Sequence, residues 1–401
     1  MPIYITALNP TDAVTVGLLP AAHRLGLESV LLTNQVDDHL KAYENGPAPI
    51  AVIDTDVRDA GAVAARVHSL VARFGRPDAL LSNSDHLQTA TALAAELLGL
   101  PGKSWQAALR CKNKFLTRRT LAEAGLDVVT SVEIGPRDDP ASIDIPFPAV
   151  VKPREGVASE DASLVADHAE LVATVGEIRG RKPGLTLVAE EYLAGPLRTY
   201  ETLGDGTSLH HFGSWRTTLG PPPRFTEDRL EWDPVLPAPV TAHLRAQLDA
   251  LGVGFGACHT EFVADGDRAR IIEVNYRLIG DTMDLITSEL LGVDLFAELI
   301  KLHLGGTLGE LPDPATIARH GRVDYVMADR AGTLVDAPAA LVEQVGEVRI
   351  GHRPLREIGV TAPLHGTNRD YLAAVHGIGP DVATVDTAVD GFLADHKWVI
   401  A

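Results

Sequence analysis

Glu273, Asn275 and Arg277 alternate with apolar residues in the stretch IIEVNYRLIGD, residues 271–281. Successive side chains of a β-strand point to opposite faces. A strand here puts a carboxylate, a carboxamide and a guanidinium in one row, with Ile272, Val274 and Tyr276 on the other face. Upstream, CHTEFVADGDRARIIEVN carries the turn signal Asp265-Gly266-Asp267 between two alternating runs, the pattern of a hairpin. Such a hairpin sets Glu261 opposite Glu273 on one face, with Asn275 one step along. Facing carboxylates destabilise a strand pair unless a cation lies between them. Two carboxylates and a carboxamide oxygen form a hard, all-oxygen ligand set that suits Mg²⁺, an ion that also binds phosphate. Arg277 follows on the same face, about 7 Å beyond Asn275 by strand rise. The plain alternative is a half-buried strand with a solvated polar face.

The elements around this row follow from periodicity. IYITAL, ESVLLTN, PIAVIDT and DALLSNSD read as strands. They alternate with the helical patterns TVGLLPAAHRLG, AGAVAARVHSLVARFG and HLQTATALAAELLGL. Strands alternating with helices imply a doubly wound, mostly parallel sheet. No GxGxxG follows the first strand, so a dinucleotide fingerprint is absent. A basic helix, KNKFLTRRTLAEAG, comes next. From VVTSVEI to about residue 200 the pattern is that of a small α/β module, with strands FPAVVKP and TLVAEEYL and helix HAELVATVGEIRG. TTLGPPPRFTEDRLEWDPVLP, rich in Pro, Gly and charge, reads as a loop, and residues 282–303 as helical. Strands RVDYVMAD and EVRIGH open a final α+β region.

The chain has 401 residues, 45% of them hydrophobic, enough for several domains and a sizeable core. A net charge of −19 argues against nucleic acid and anionic membrane as partners, and a bound polyphosphate would need local cations. MPIYITALNP has neither the basic start nor the long apolar run of a signal peptide. No apolar run has the length of a membrane span. Two cysteines, Cys111 and Cys258, make neither a disulfide framework nor a zinc site, and the expected compartment is a reducing cytoplasm.

Glu261 followed by Glu273-x-Asn275-x-Arg277 after a hairpin resembles the magnesium-binding end of the ATP-grasp superfamily. Three further stretches resemble that superfamily in the same order: NKFLTRRTLAEAG, FPAVVKP and VAEEYLAG. The resemblance covers about residues 1–305. The stretches RLIGD, CHTEF and PPPRFTE look most like the L-amino-acid ligases and related carboxylate–amine ligases. It implies an N-terminal doubly wound domain over 1–110 and a lid with its linker helix over 111–205. A catalytic ATP-grasp domain over 206–305 and an appended α+β domain over 306–401 complete the expected organisation.

The resemblance also implies roles. Lys114 and Lys152 would meet ATP phosphates, and Ser159 would donate from the covering loop. Glu190 would take the adenine amino group, with the backbone of Glu191 and Leu193 completing the adenine contacts. Glu261, Glu273 and Asn275 would hold one or two Mg²⁺, for which Mn²⁺ is an admissible substitute, and Arg277 would act at the reacting centre. His259, Trp215, Arg216 and Arg224 are substrate candidates. Arg277 could otherwise pair with Asp281. Three departures stand out. The loop PREGVASEDASLV has only Gly156 where the family is richer in glycine, and Glu155, Glu160 and Asp161 bring acid to it. Leu197 and Arg198 stand where an acidic residue is usual, and Tyr276 replaces a smaller residue.

The expected activity is ATP-dependent joining of a small carboxylate to an amine through an acyl phosphate, by a protein that could form a homodimer. The alternatives are a ligase for a non-amino-acid carboxylate, such as a polycarboxylate, or a protein that only binds nucleotide.

Overall fold

A computed structural model describes residues 2–44 and 46–401; the first residue of the N-terminal segment, Met1, lies outside them. The first sheet is parallel, with strands in the order Ala51–Asp54, Ser29–Thr33, Ile3–Thr6 and Ala79–Leu81. Its central strands are buried from end to end, as a sheet covered on both faces requires. Helices Ala60–Phe74 and Gln88–Leu97 are among its covers.

Two capped helices lead out of this region. Ser104 accepts from the Ala107 amide at the start of Trp105–Lys112, and Asn113 accepts from Leu116 at the start of Lys114–Glu123. The Asn113 cap makes Lys114 the first helical residue, and Arg118 follows one turn later on the same face.

The lid is a four-stranded antiparallel sheet in the order Ser131–Ile134, Leu187–Glu191, Ala149–Pro153 and Ser163–Val165. Helix His168–Arg181, capped by Asp167, buries Leu171, Val175 and Ile178 with the strands' apolar residues.

Three short C-terminal strands, Thr361–Ala362, Gly332–Asp336 and Val399–Ile400, form a small sheet of their own, and the other ten strands join in one sheet. Its order runs Arg268–Asn275, Phe255–Asp265, Leu197–Asp205, Trp215–Leu219, Glu227–Trp232, His320–Met327, Tyr371–Gly379, Val348–Pro354 and Leu341–Val345. Leu209–Gly213 pairs with Leu197–Asp205 off this path. The other strands of the C-terminal region thus continue the sheet that carries the hairpin. Among the described residues no helix is long and apolar enough to cross a membrane.

Two sequence readings are corrected here. The segment read as a loop holds strands at both ends, because Leu230 and Trp232 of DRLEW alternate into the core between two partner strands. The strand in IIEVNYRLIGD ends at Asn275: the Arg277 amide turns back onto the Asn275 carbonyl at 2.7 Å. The region read as helical, residues 282–303, holds two helices, Met283–Leu291 and Leu295–His303, separated where Gly292 takes a left-handed φ of 68°.

Candidate functional site

Glu261 sits directly opposite Glu273 across the hairpin, and His259 opposite Asn275. The register then shifts, pairing Phe262 with Ile271, so Ile272 is the extra residue of a bulge. The bulge corrects the expected face. Ile271, Val274 and Tyr276 enter the core, whereas Ile272 turns to the functional side.

That side is one wall of an open cleft. Glu261, Glu273, Asn275, His259 and Arg277 line it. Lys114, Lys152, Ser159, Glu190, Glu191 and Leu193 line it from the capped helix and the lid. The other three candidates do not line it. Trp215 is fully buried, donates its indole N–H to Thr287 at 3.2 Å and packs edge-on against Trp232. Arg216 is exposed and pairs with Glu231 at 2.9 Å. Arg224 donates to the Ser163 hydroxyl at 3.2 Å. Alternation along Trp215–Leu219 explains the first two: it turns Trp215 and Thr217 inward and Arg216 and Thr218 outward.

The cations form one cluster. Lys152 and Glu190 are diagonal neighbours on adjacent lid strands and meet at 2.7 Å. Arg118 forks onto the same carboxylate through Nε at 2.8 Å and Nη2 at 3.0 Å; Nη1 donates to the Ile271 carbonyl on the hairpin, and Nη2 also reaches the Ile272 carbonyl at 3.1 Å. Lys114 donates to Glu273 at 2.8 Å and to the Gly156 carbonyl at 3.2 Å. Burial would raise the Glu190 carboxyl, but Arg118 and Lys152 outweigh it and hold the group far below the usual carboxylate range. Burial lowers Lys152; Glu190 opposes this, while Arg118 and Lys114 add to it. For Lys114 burial also lowers the pKa, and Glu273 more than reverses it. Arg118 was the missed member, although its i,i+4 spacing from Lys114 was legible.

Glu190→Gln should leave Arg118 and Lys152 buried without a counter-charge. A loss of about 3–5 kcal/mol in a denaturant titration is expected. A loss under about 1 kcal/mol, the scale of a surface pair, would show that the cluster is not what joins lid to hairpin. Because the folded pKa of Glu190 is depressed, its contribution is complete above its unfolded value, about 4.3, and disappears as pH falls toward the folded one.

His259 bridges two carboxylates, with Nδ1 at 2.7 Å from Glu201 and Nε2 at 3.4 Å from Glu261. Burial would lower its pKa, but Glu201 and Glu261 raise it to about 10, so the imidazole is a cation at neutral pH. Glu227 also lines the cleft; the Pro, Gly and charge beside its strand give that strand the composition of a loop and hide the residue from a reading of the sequence. Burial and repulsion from Glu261 and Asp281 raise its pKa to about 8.

The lid loop is unusual. Ala158, Ser159 and Asp161 take left-handed φ values of 56°, 54° and 57° without being glycine. Each such residue costs about 1–2 kcal/mol. The loop's acids tie it down: Lys182 binds Glu160 and, at 2.9 Å, Asp161; Arg181 binds Asp161 at 2.7 Å; Arg369 binds Glu160 at 2.6 Å. Glu155 is paired with Arg154 at 2.9 Å. The acids that the sequence brings to this loop are thus each paired with a cation. Arg277 forms no ion pair with Asp281, its alternative partner, among the described residues: its Nε lies 4.0 Å from Asp85, and its Nη1 donates to the Leu278 carbonyl at 2.9 Å.

The donor set of the hairpin fits a hard cation. The Asn275 side chain is 5% exposed, lines the cleft and makes no side-chain hydrogen bond among the described residues. The two glutamates add carboxylate oxygens, one of them held by Lys114. No group of three or more His, Cys, Asp or Glu suited to a metal occurs among the described residues. Two carboxylates and a carboxamide supply only part of an octahedral Mg²⁺ shell, and the remaining positions suit water and phosphate.

Residues 19–102 match the model of the ATP-grasp N-terminal domain. The chain is 29% identical over 326 residues to the uncharacterised protein y4rH of Sinorhizobium fredii, a match covering 75% of this chain and 64% of that protein. It is 29% identical over 264 residues to carnosine synthase 1 of Gallus gallus, covering 59% of this chain and 28% of the synthase. The matches thus span less than two thirds of either relative. An L-amino acid ligase from Bacillus licheniformis superimposes on the whole chain and on 99% of its own, with a TM-score of 0.82 and 20% identity.

Proposed function

From the ATP-grasp fold of this chain, we propose that it is an ATP-dependent ligase that joins a carboxylate to an amine through an acyl phosphate. One observation carries this reading: a cluster of buried cations and a carboxylate–carboxamide row face the same cleft. The likeness to an L-amino acid ligase and the partial match to carnosine synthase 1 support amino acids as the substrate class.

The roles follow from charge. Three cations, Lys114, Lys152 and Arg118, stand near two carboxylates, Glu190 and Glu273, and the surplus suits ATP phosphates. We assign Glu190 to organising Arg118 and Lys152 and leave the adenine to the chain at Glu191–Leu193, since its carboxylate is already bound by both cations. Glu261, Glu273 and Asn275 would hold Mg²⁺, which when bound neutralises phosphate charge. The substrate carboxylate oxygen attacks the γ-phosphorus, and the bond to the ADP oxygen breaks. The amine nitrogen then attacks the acyl carbon, phosphate leaves with the C–O pair, and the nitrogen gives up a proton. Glu227, titrating near pH 8, is suited to accept it. Arg277 stabilises the transferring phosphoryl group and the oxyanion of the second step.

Incubation with Mg·ATP and pooled amino acids should release phosphate only when substrate is present. Tight ATP binding with no turnover in any pool would favour a nucleotide-binding protein instead. That alternative is motivated by a lid loop poor in glycine and rich in acid, and the pairing of Glu160 and Asp161 with cations weakens the second motive. Closure of the lid would exclude water from the acyl phosphate. Proteolysis between residues 130 and 205 should therefore slow at saturating Mg·ATP; an unchanged digestion pattern would count against closure.

A further inference from the structure

We propose that Lys103 is a positioning residue for Arg277, a buried ammonium from the N-terminal region that fixes the peptide plane from which Arg277 projects. The proposal rests on the reading above that Arg277 acts at the reacting centre.

Lys103 lies between helices Gln88–Leu97 and Trp105–Lys112 and is 8% exposed. Its ammonium donates to Gln88 Oε1 at 2.6 Å and to the carbonyl of Tyr276, and stands 4.6 Å from the centre of the Tyr276 ring. That carbonyl belongs to the Tyr276–Arg277 peptide, whose N–H is bound by Asn275 O at 2.7 Å. Both ends of the plane are therefore held. The neighbours are moored as well. The Tyr276 hydroxyl accepts from the amides of Gly254 and Phe255 at 3.2 and 3.1 Å. Asn83 Oδ1, at the end of the parallel sheet, accepts from the Leu278 amide at 3.0 Å. Gly256 makes room for the lysine: its φ is +74°, and a Cβ there would stand 2.8 Å from Lys103 Cε.

A purely structural role would not call for a charge. The acceptors are neutral oxygens and a ring face, and among the described residues no carboxylate forms an ion pair with Lys103. A buried ammonium without a counter-charge is costly, and here burial brings its pKa down to about 7. A methionine of similar length would fill the space without that cost. A group that opposes stability while fixing a side chain at the chemistry is a mark of function.

The test uses the full chain with Lys103→Met, read by thermal melting, ATP titration, steady-state phosphate release and hydrogen exchange at Arg277 and Leu278. The melting point is expected to hold or rise, and ATP affinity to stay within about threefold. Exchange at those two amides should quicken at least about tenfold. Turnover should fall by roughly 10²-fold through kcat rather than KM, the scale of a small misplacement of a catalytic group. Unchanged exchange with unchanged kcat overturns the proposal, as does a loss of turnover that only tracks lost folded protein. If Lys103→Met does not fold, Lys103→Gln, with a shorter stem and a neutral donor nitrogen, is judged by the same exchange measurement. The ligase reading fails separately, on a wild-type protein that releases no phosphate with any substrate; exchange at Arg277 and Leu278 then still decides whether Lys103 sets the turn.

Discussion

Glu273→Gln is expected to lower substrate-dependent phosphate release by on the order of 10³-fold, a loss of about 4 kcal/mol of transition-state stabilisation. Glu273 faces Glu261 across the hairpin and accepts from Lys114 at 2.8 Å. Glutamine has nearly the same shape, so the bulged hairpin and its core residues Ile271 and Val274 have no reason to move. What changes is charge. One of two carboxylates able to hold Mg²⁺ becomes neutral, and Lys114 loses its only ion-pair partner among the described residues. The Mg²⁺ concentration giving half-maximal rate should rise along with the fall in turnover. The checks are phosphate release across a Mg²⁺ series and a melting curve of the same preparation. Turnover near wild type would remove Glu273 from the proposed metal site. A parallel loss of melting temperature would recast it as a structural partner of Lys114.

Arg277→Lys is expected to reduce turnover by roughly 10²-fold or more, the scale of one lost oxyanion donor, while ATP affinity stays within a few-fold. A guanidinium can fork onto two carboxylate or phosphoryl oxygens, and an ammonium cannot copy that geometry. The strand ends at Asn275, so Arg277 does not lie one strand step beyond it as alternation implied. It projects from a moored turn instead and still lines the cleft. Its present contacts, the Leu278 carbonyl and a 4.0 Å approach to Asp85, are weak enough to be exchanged for a substrate. Nucleotide titration beside steady-state phosphate release decides the matter. Collapse of both would mean that Arg277 grips ATP or the fold. No change in either would leave it as a neighbour of Asp85 alone.

The sequence by itself determined the features whose cause is local. A two-residue alternation broken by Asp265-Gly266-Asp267 is enough to make the hairpin, but Glu261 meets Glu273 only through the bulge at Ile272, since the turn that pairs Asp265 with Arg268 would otherwise set Glu261 opposite Ile272. An Asn113 cap starts a helix at Lys114, and the apolar run before Lys152 makes a strand. Strands alternating with helices dictated the parallel N-terminal sheet. Only the tertiary structure decided which distant partners meet. Arg118 reaches Glu190 across 72 residues and Lys103 reaches Tyr276 across 173, separations that no periodicity encodes. Leu230 and Trp232 had a strand pattern, but Pro and Gly beside it hid that strand until its partners 215–219 and 320–327 supplied its hydrogen bonds. Trp215 and Arg224 looked available because they flank a loop; one is spent on the core and the other on the lid strand. The physical reason is the same in each case. Side-chain direction along a strand or helix is fixed by backbone geometry within a few residues. Whether a side chain then meets a cleft, a core or a counter-charge depends on elements brought together only when the chain has packed.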